Sequence, residues 1–326
     1  MSAGKLEKDM QSDVLGQVTL VIPTFNCRAQ AERHLDSLGE GIDRFGEILV
    51  VDSYSTDGTY ELLEGRLGDK AQIWQRERGL YGAWTAARDR ATKDYLYIST
   101  VGDDPDLAEL EAMAAWTINH QVGVTVSPPV FYSLQGKKLQ DWPVHNIMRE
   151  LNLEAPLLIE QSRARLLHQY CFAKFGVGPL TGSIASCLVR RVDCLPFVDA
   201  YGKLGDVIWN FEMAATTSWG LFPEAVARFE AHDPPPGKKE LTFADRYFEA
   251  LTECLANPAD ELAEVVQLRL ELVEASIRKA RRWKPLGRKK ILHPGYWTHC
   301  RLVRQKKRLV RRLLAEVSIS KESLTS

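Results

Sequence analysis

The stretches "VTLVIPTFN" (Val18–Asn26), "EILVVDSYSTDGTYELL" (Glu47–Leu63) and "YLYISTVGDDP" (Tyr95–Pro105) decide the fold. Each opens on a run of β-branched, aliphatic or aromatic residues and breaks off into polar ones. Runs that are apolar at nearly every position read as strands buried on both faces. Between and after them the apolar spacing turns helical: Leu35, Leu38 and Ile42 over residues 29–42, a turn and then a helix around Tyr60–Leu67, and Pro105–Asn119. Strands alternating with helices pair in parallel through right-handed crossovers, which gives the α/β class: a mixed, mostly parallel sheet flanked by helices. Ligands of such sheets lie beyond the carboxyl ends of the strands. That rule singles out Thr24 and Asn26, Asp52 to Asp57, and the pair Asp103 and Asp104.

The later chain is less regular. Residues 128–182 mix aromatic and basic residues and read as loops and short helices over the sheet edge, "SIASCLVRR" (Ser183–Arg191) as a strand, and "DVIWNFEMAATTSWG" (Asp206–Gly220) as a helix with Asp206 at its start. "PPPG" (Pro234–Gly237) closes the globular body. The expected organisation is one domain over residues 1–236 and a helical extension over 237–326, with helices near 241–256 and 259–282.

The 326 residues suffice for one large core with an appendage, and 45% hydrophobic against 26% charged residues is a globular balance. No apolar run reaches the length of a membrane span. Residues 1–16 lack the apolar centre of a leader peptide, so no secretory signal is expected. Six scattered cysteines without a CxxC pair (Cys27, Cys171, Cys187, Cys194, Cys254, Cys300) argue against a zinc site or disulfide framework and fit a reducing, cytoplasmic setting. The net charge of −1 hides an asymmetry: fifteen of the 42 Lys and Arg fall between Ser276 and Ala315, where there is no Asp or Glu. The remaining 27 face 43 acidic residues, so an acidic body bears a basic tail.

Hard divalent cations take oxygen ligands, and Mg²⁺ sites commonly combine one or two carboxylates with substrate phosphates. Asp103 and Asp104 after a buried strand suit that role. The structural alternative is Asp104 as an N-cap with Pro105 at the first helical position. Asp57–Gly58 is likewise a common turn or helix start.

In their order and spacing, these three stretches with "RGLYGAWTAARDRATKD" (Arg78–Asp94) resemble the family-2 glycosyltransferases of the GT-A fold. The match runs from Val18 to Asp106 and continues more weakly to His232. The resemblance implies that Pro23, Thr24, Asn26 and Asp52, with Ser55 and Asp57 nearby, hold the base and ribose of a nucleotide-sugar donor. It implies donor-side contacts at Tyr81 and Arg88, and Mn²⁺ or Mg²⁺ with the donor diphosphate at Asp103 and Asp104. Asp206 becomes the catalytic base, with Glu212 in reserve, and His232 a neighbour of the metal or diphosphate. Relatives usually carry Asp and Asn where this chain has Gly82 and Thr85, Glu where it has Gly205, and often an acid at Val101. The QxxRW signature and membrane helices of processive members are missing, which implies addition of a single sugar, with inversion, to a saccharide or lipid-linked acceptor in envelope or polysaccharide synthesis. Two alternatives stay open: a catalytically inactive nucleotide-sugar-binding or scaffold protein, suggested by Gly82, Thr85 and Gly205, and a sugar nucleotidyltransferase, whose Gly-rich loop is missing after "VTLVI".

From Arg301 to Leu314, apolar Leu302, Val303, Leu309, Val310, Leu313 and Leu314 share one helical face and Lys and Arg the other. Such a helix suits the inner surface of an anionic membrane. It equally suits packing on the acidic body or a homo-oligomer contact. No nucleic-acid-binding motif accompanies the charge.

Overall fold

The computed structural model describes residues 14–132, 138, 143–161, 163–165, 167–168, 183–199, 205–230, 300–309 and 311–312. The chain divides into two compact units, Met1–Ala164 with Pro179–Pro234, and Arg165–Gly178 with Pro235–Ser326. Among the described residues the first holds two sheets. The larger has eight strands in the order β3 (Gln72–Gln75), β2 (Glu47–Asp52), β1 (Val18–Thr24), β4 (Tyr95–Ile98), β9 (Cys187–Arg190), β6 (Val124–Val126), β10 (Trp219–Leu221) and β8 (Leu157–Ile159). The smaller has three, β5 (Asp103–Pro105), β11 (Ala227–Glu230) and β7 (Val130–Tyr132).

All seven residues of β1 are buried, and Ile48 to Asp52 of β2 likewise. Leu20, Ile22 and Val50 enter the main core with Leu35, Leu38 and Ile42. Each such side chain withdrawn from water contributes about 1.5–3 kcal/mol. The first four strands of the order pair in parallel. Helix α1 (Arg28–Leu38) follows β1, α2 (Thr59–Leu67) follows β2, α3 (Leu80–Arg90) follows β3 and packs on β1 and β2, and α4 (Leu107–Asn119) packs on β6 and β9.

Several boundaries differ from the sequence reading. The helix expected from Pro105 begins at Leu107, and its N-cap is Asp106, whose carboxylate accepts from Glu109 N. Pro105 lies instead in β5, opposite Ala227. Asp104 is therefore no helix cap. "SIASCLVRR" splits into a 3₁₀ turn (Ile184–Ser186) and β9, which runs antiparallel to β4 and β6. The helix from Asp206, α6 (Gly205–Thr216) in the order after α5 (Pro143–Glu150), stops four residues earlier than expected, and Trp219–Leu221 leaves it to become β10. Within 128–182, β7 and the edge strand β8 appear where loops and helices alone were expected. Strands of three residues are too short for a pattern of their own; their partners define them. The helices expected at 241–256 and 259–282, and His232, lie outside the described residues.

Candidate active site

The polar ends of β1, β2 and β3 meet in one row, because Thr24, Asp52 and Gln75 are register partners across three parallel strands. Asp52 is fully buried. Its Oδ1 accepts from Thr24 Oγ1 at 3.0 Å and from Ser55 Oγ, and its Oδ2 accepts from Ser55 N at 2.8 Å and Gln75 Nε2 at 2.9 Å. Four donors satisfy a buried carboxylate, which is how a charge is tolerated there. Asn26, in a left-handed conformation at φ 45°, links the first two turns: its N donates to Ser55 Oγ and its Oδ1 accepts from Thr56 N, both at 2.8 Å. Asp57 accepts from Thr59 Oγ1, Arg28 N and Thr59 N, so one exposed carboxylate serves the starts of α1 and α2. Those bonds, the one from Thr59 Oγ1 foremost, hold its pKa below the ordinary value.

Thr24, Asn26, Asp52 and Ser55 are thus brought together as a mutually bonded scaffold, with Pro23 beside Thr24 in β1 and Asp57 tied separately to Arg28 and Thr59. The accessible groups beside them escaped the sequence reading. Phe25 is exposed with the Arg78 guanidinium 4.2 Å over its ring, and Tyr54, at φ 53°, is half exposed. Large apolar rings left open at the carboxyl ends of buried strands are available to stack on a planar ligand. The adjacent polar turns were the only signal for them.

After β4, Gly102 at φ 99° turns the chain into β5. Asp103 is half-buried and accepts from Thr100 Oγ1, whereas Asp104 is exposed. Burial, reinforced by Asp104's charge, raises the Asp103 pKa to about 7 against the pull of the Thr100 bond. A cation beside the pair would reverse both effects. Below lies His34 of α1, 1% exposed, its Nε2 3.0 Å from Ser99 Oγ. Burial lowers its pKa to about 4 in spite of Asp104's charge, so it is a neutral strut. Two carboxylates fit a hard cation whose remaining ligands are phosphate and water. No group of three His, Cys, Asp or Glu side chains among the described residues encloses a metal by itself.

Asp206 sits at the start of α6, largely enclosed. Its Oδ1 accepts from Tyr81 Oη at 3.1 Å and from Val207 N at 2.8 Å. Burial raises its pKa, while the bond from Tyr81 lowers it. Burial first and Asp206's charge second raise that of Tyr81. Tyr81 is held edge-on to Trp84, Trp84 edge-on to Phe197, and Phe197 stacked on Trp209 of α6, at centroid separations of 5.1, 5.1 and 4.6 Å. Glu212 lies six residues beyond Asp206, about 120° around the helix, and is exposed. Arg88 is two turns down α3 from Tyr81, about 10 Å along the axis, with Nε donating to Cys194 O and Nη1 paired to Asp89. The structure gives it to the far end of the helix and brings Tyr81 alone to Asp206. Val101 packs against the main core.

Residues 19–173 match the profile of glycosyl transferase family 2, and over this segment the chain is similar to that family. No curated protein matches the sequence. Among solved structures, S. aureus TarS residues 1–349 superimposes with a TM-score of 0.56 at 15% identity, over 84% of this chain and 77% of that one. The same fragment in complex with UDP-GlcNAc gives a TM-score of 0.55 at 14% identity, over 91% and 83%. Against a longer TarS chain the TM-score is 0.53 at 15% identity, over 79% of this chain and 43% of that one. These likenesses agree on the fold: a mixed α/β body with a largely parallel central sheet.

Among the described residues no helix is long and apolar enough to cross a membrane. In the second unit residues 300–309 and 311–312 are helical, Leu302 and Leu309 are buried, and Arg301, Arg304, Lys307, Arg308, Arg311 and Arg312 are exposed.

Proposed function

We propose that the chain transfers a single sugar from a nucleoside-diphosphate sugar to an acceptor hydroxyl, with Asp206 as general base and inversion at the anomeric carbon. The observation supporting this best is the Tyr81–Asp206 pair: an enclosed carboxylate, raised in pKa by burial and oriented by one phenol, on a fold whose opposite strand ends are built around Asp52. The base and ribose lie over the row Thr24, Asp52, Gln75, between Phe25 and Tyr54. Tyr81 donates to the Asp206 carboxylate and keeps one oxygen turned to the acceptor. That oxygen takes the hydroxyl proton as the acceptor oxygen attacks the anomeric carbon from the face opposite the diphosphate. The anomeric C–O bond to the diphosphate breaks, and the nucleoside diphosphate leaves.

Asp103 and Asp104 hold Mn²⁺ or Mg²⁺, which when bound supplies positive charge against the departing diphosphate. His232 is the proposed third contact. TarS has been solved with UDP and with UDP-GlcNAc, so UDP-GlcNAc is the first donor to test. The acceptor is a saccharide or lipid-linked saccharide of the cell envelope. The basic tail gives the enzyme a peripheral seat on an anionic membrane, through charge more than through its buried leucines.

The test is release of UDP from UDP-GlcNAc by the purified full chain with Mn²⁺, water standing in for the acceptor. Steady UDP release, abolished in Asp206→Asn, is expected. Binding of UDP-GlcNAc without any turnover would favour the inactive nucleotide-sugar-binding protein instead, and pyrophosphate release from UTP and a sugar phosphate would favour a nucleotidyltransferase.

A further inference from the structure

Of the four positions at which this chain departs from its relatives' pattern, Val101 packs against the main core, and the other three all meet one short segment, Phe197–Asp199. Thr85 Oγ1 donates to Phe197 O at 2.9 Å and accepts from Phe197 N at 2.8 Å. A side chain at Gly82 would set its Cβ 2.5 Å from Asp199 Oδ2 and 2.2 Å from Arg76 Nη1. A side chain at Gly205 would meet the Tyr81 ring at 2.6 Å and Val198 O at 2.8 Å. Residues 82 and 205 are bare because this segment and Tyr81 fill the space. The carboxylate of Asp199 reaches, from another part of the chain, the place a side chain at 82 would enter.

What it does there is explicit. Asp199 Oδ1 accepts from Tyr81 N at 3.0 Å and Oδ2 from Gly82 N at 2.9 Å. These are free N–H groups in the first turn of α3, whose N-cap, Gly79, has no side chain to serve them. Buried Arg76 Nη1 lacks a hydrogen-bond partner and faces the same carboxylate across Gly82. A negative group at a helix N-terminus is favoured by both the amides and the dipole. The turn so fixed carries Tyr81, whose hydroxyl donates to Asp206.

We infer that Asp199 is a positioning residue for Asp206, acting through the first turn of α3 and Tyr81, and that Gly82, Thr85 and Gly205 are its structural counterparts rather than lost functions. The inference rests on Asp206 being the base. Among the described residues, the titratable side chains in electrostatic contact with Asp206 are Tyr81 of α3 and Cys187 of β9, and Asp199 acts on Tyr81.

The experiment measures UDP release from UDP-GlcNAc by the full chain across pH, for Asp206→Asn, Tyr81→Phe, Asp199→Ala, Asp199→Asn, the double variant Tyr81→Phe/Asp199→Ala, and Gly82→Asp with and without Asp199→Ala. Asp199→Ala and Tyr81→Phe should each cost about tenfold in kcat with KM little changed, as displacement of a base by a fraction of an ångström does. Their double variant should be no worse than either alone. Losing the phenol's bond deprives the carboxylate of a stabilising donor, so the acid limb of the profile should move to higher pH in both. Removing Asp199's charge alone would move it lower, and that direction would overturn the inference. Gly82→Asp alone should be impaired by collision and like charge, while Gly82→Asp/Asp199→Ala should regain activity by returning a carboxylate from the other side. Should Asp199→Ala fold poorly, Asp199→Asn, which keeps one acceptor oxygen, should show the same upward shift in smaller measure. An inactive Asp206→Asn beside unimpaired Asp199→Ala and Tyr81→Phe would overturn this inference alone. An unimpaired Asp206→Asn would overturn the functional reading beneath it.

Discussion

Along β3, β2, β1 and β4, neighbours in space are near neighbours in sequence, every pairing is parallel, and the polar strand ends are tied to one another. Along β9, β6, β10 and β8 the order jumps across the chain, antiparallel pairings enter, and strands shrink to three or four residues. The acidic residues differ in the same way. Asp52 in the first half is saturated by four donors and closed to solvent, while Asp206, entering with α6, has a single side-chain partner among the described residues and a pKa raised by burial. The first half is a rigid, internally bonded edge, to which the proposed function assigns the nucleotide; the second carries Asp206, to which it assigns the acceptor's proton. The Asp103–Asp104 strand belongs to neither, being carried on the small sheet, in register with Arg228 and Phe229.

This contrast predicts opposite consequences for two carboxylates. Asp206→Asn should lose on the order of 10² to 10⁴ in turnover, with the melting temperature and nucleotide affinity nearly unchanged; a variant that melts early and keeps its rate would reverse the assignment. Asp52→Ala should do the converse, leaving buried donors unpaired and lowering stability by about 2–4 kcal/mol, readable by urea titration of the apo chain. If Asp52→Ala unfolds at the same urea concentration as wild type, the rigid-edge description is wrong.

Asp103 gives a smaller effect with a fixed sign. Its folded pKa, about 7, lies above the ordinary carboxylate value of 3.8. It therefore contributes stability that is complete below the unfolded value and is lost as pH rises through about 7. Apo protein in EDTA should melt higher at pH 5.5 than at pH 8 by an increment that Asp103→Asn removes. An identical pH dependence in that variant would show that the group is not so placed.

The smallest effect belongs to the tail. Each exposed Lys or Arg near an anionic surface contributes about 1 kcal/mol, fading within a Debye length as salt rises. Full-length chain should sediment with phosphatidylserine vesicles at low salt and be released by salt, and a chain ending near Lys284 should stay behind in solution. Equal sedimentation of the two would return the helix to a packing role, to which the burial of Leu302 and Leu309 already lends weight.

The same division governed what could be read from the residues alone. In the first half, β1, β2 and β4 announce themselves as continuous apolar runs, and their polar ends follow in sequence, so the positions of Thr24, Asn26, Asp52 and the Asp103–Asp104 pair at strand ends were legible, though their roles remain proposals. The start of α4 was read at Pro105, with an Asp104 cap as one alternative, because Asp-Pro at a helix start and Asp-Pro in a three-residue strand look alike until β11, over a hundred residues later, supplies the pairing. Phe25 and Tyr54 were missed because apolar residues beside a turn carry no pattern that distinguishes open rings from buried ones. Asp199 was invisible for a different reason: it acts on Tyr81 and Gly82 from more than a hundred residues away, and its signal in the sequence was the bareness of Gly82, which reads as a loss until the neighbour filling the space is seen.

The central claim is a nucleoside-diphosphate site at the carboxyl ends of the first strands, completed by the Asp103–Asp104 pair. Thermal melting of the full chain against UDP, GDP, ADP and CDP, each with Mn²⁺ or with EDTA, tests it directly. One nucleotide, UDP first, should stabilise the protein with Mn²⁺, by roughly 2.7 kcal/mol at 100 times its dissociation constant. The gain should collapse in EDTA and in Asp104→Ala while apo stability stays the same. No shift with any of the four in the presence of Mn²⁺, or a shift indifferent to EDTA and to Asp104→Ala, would contradict the account.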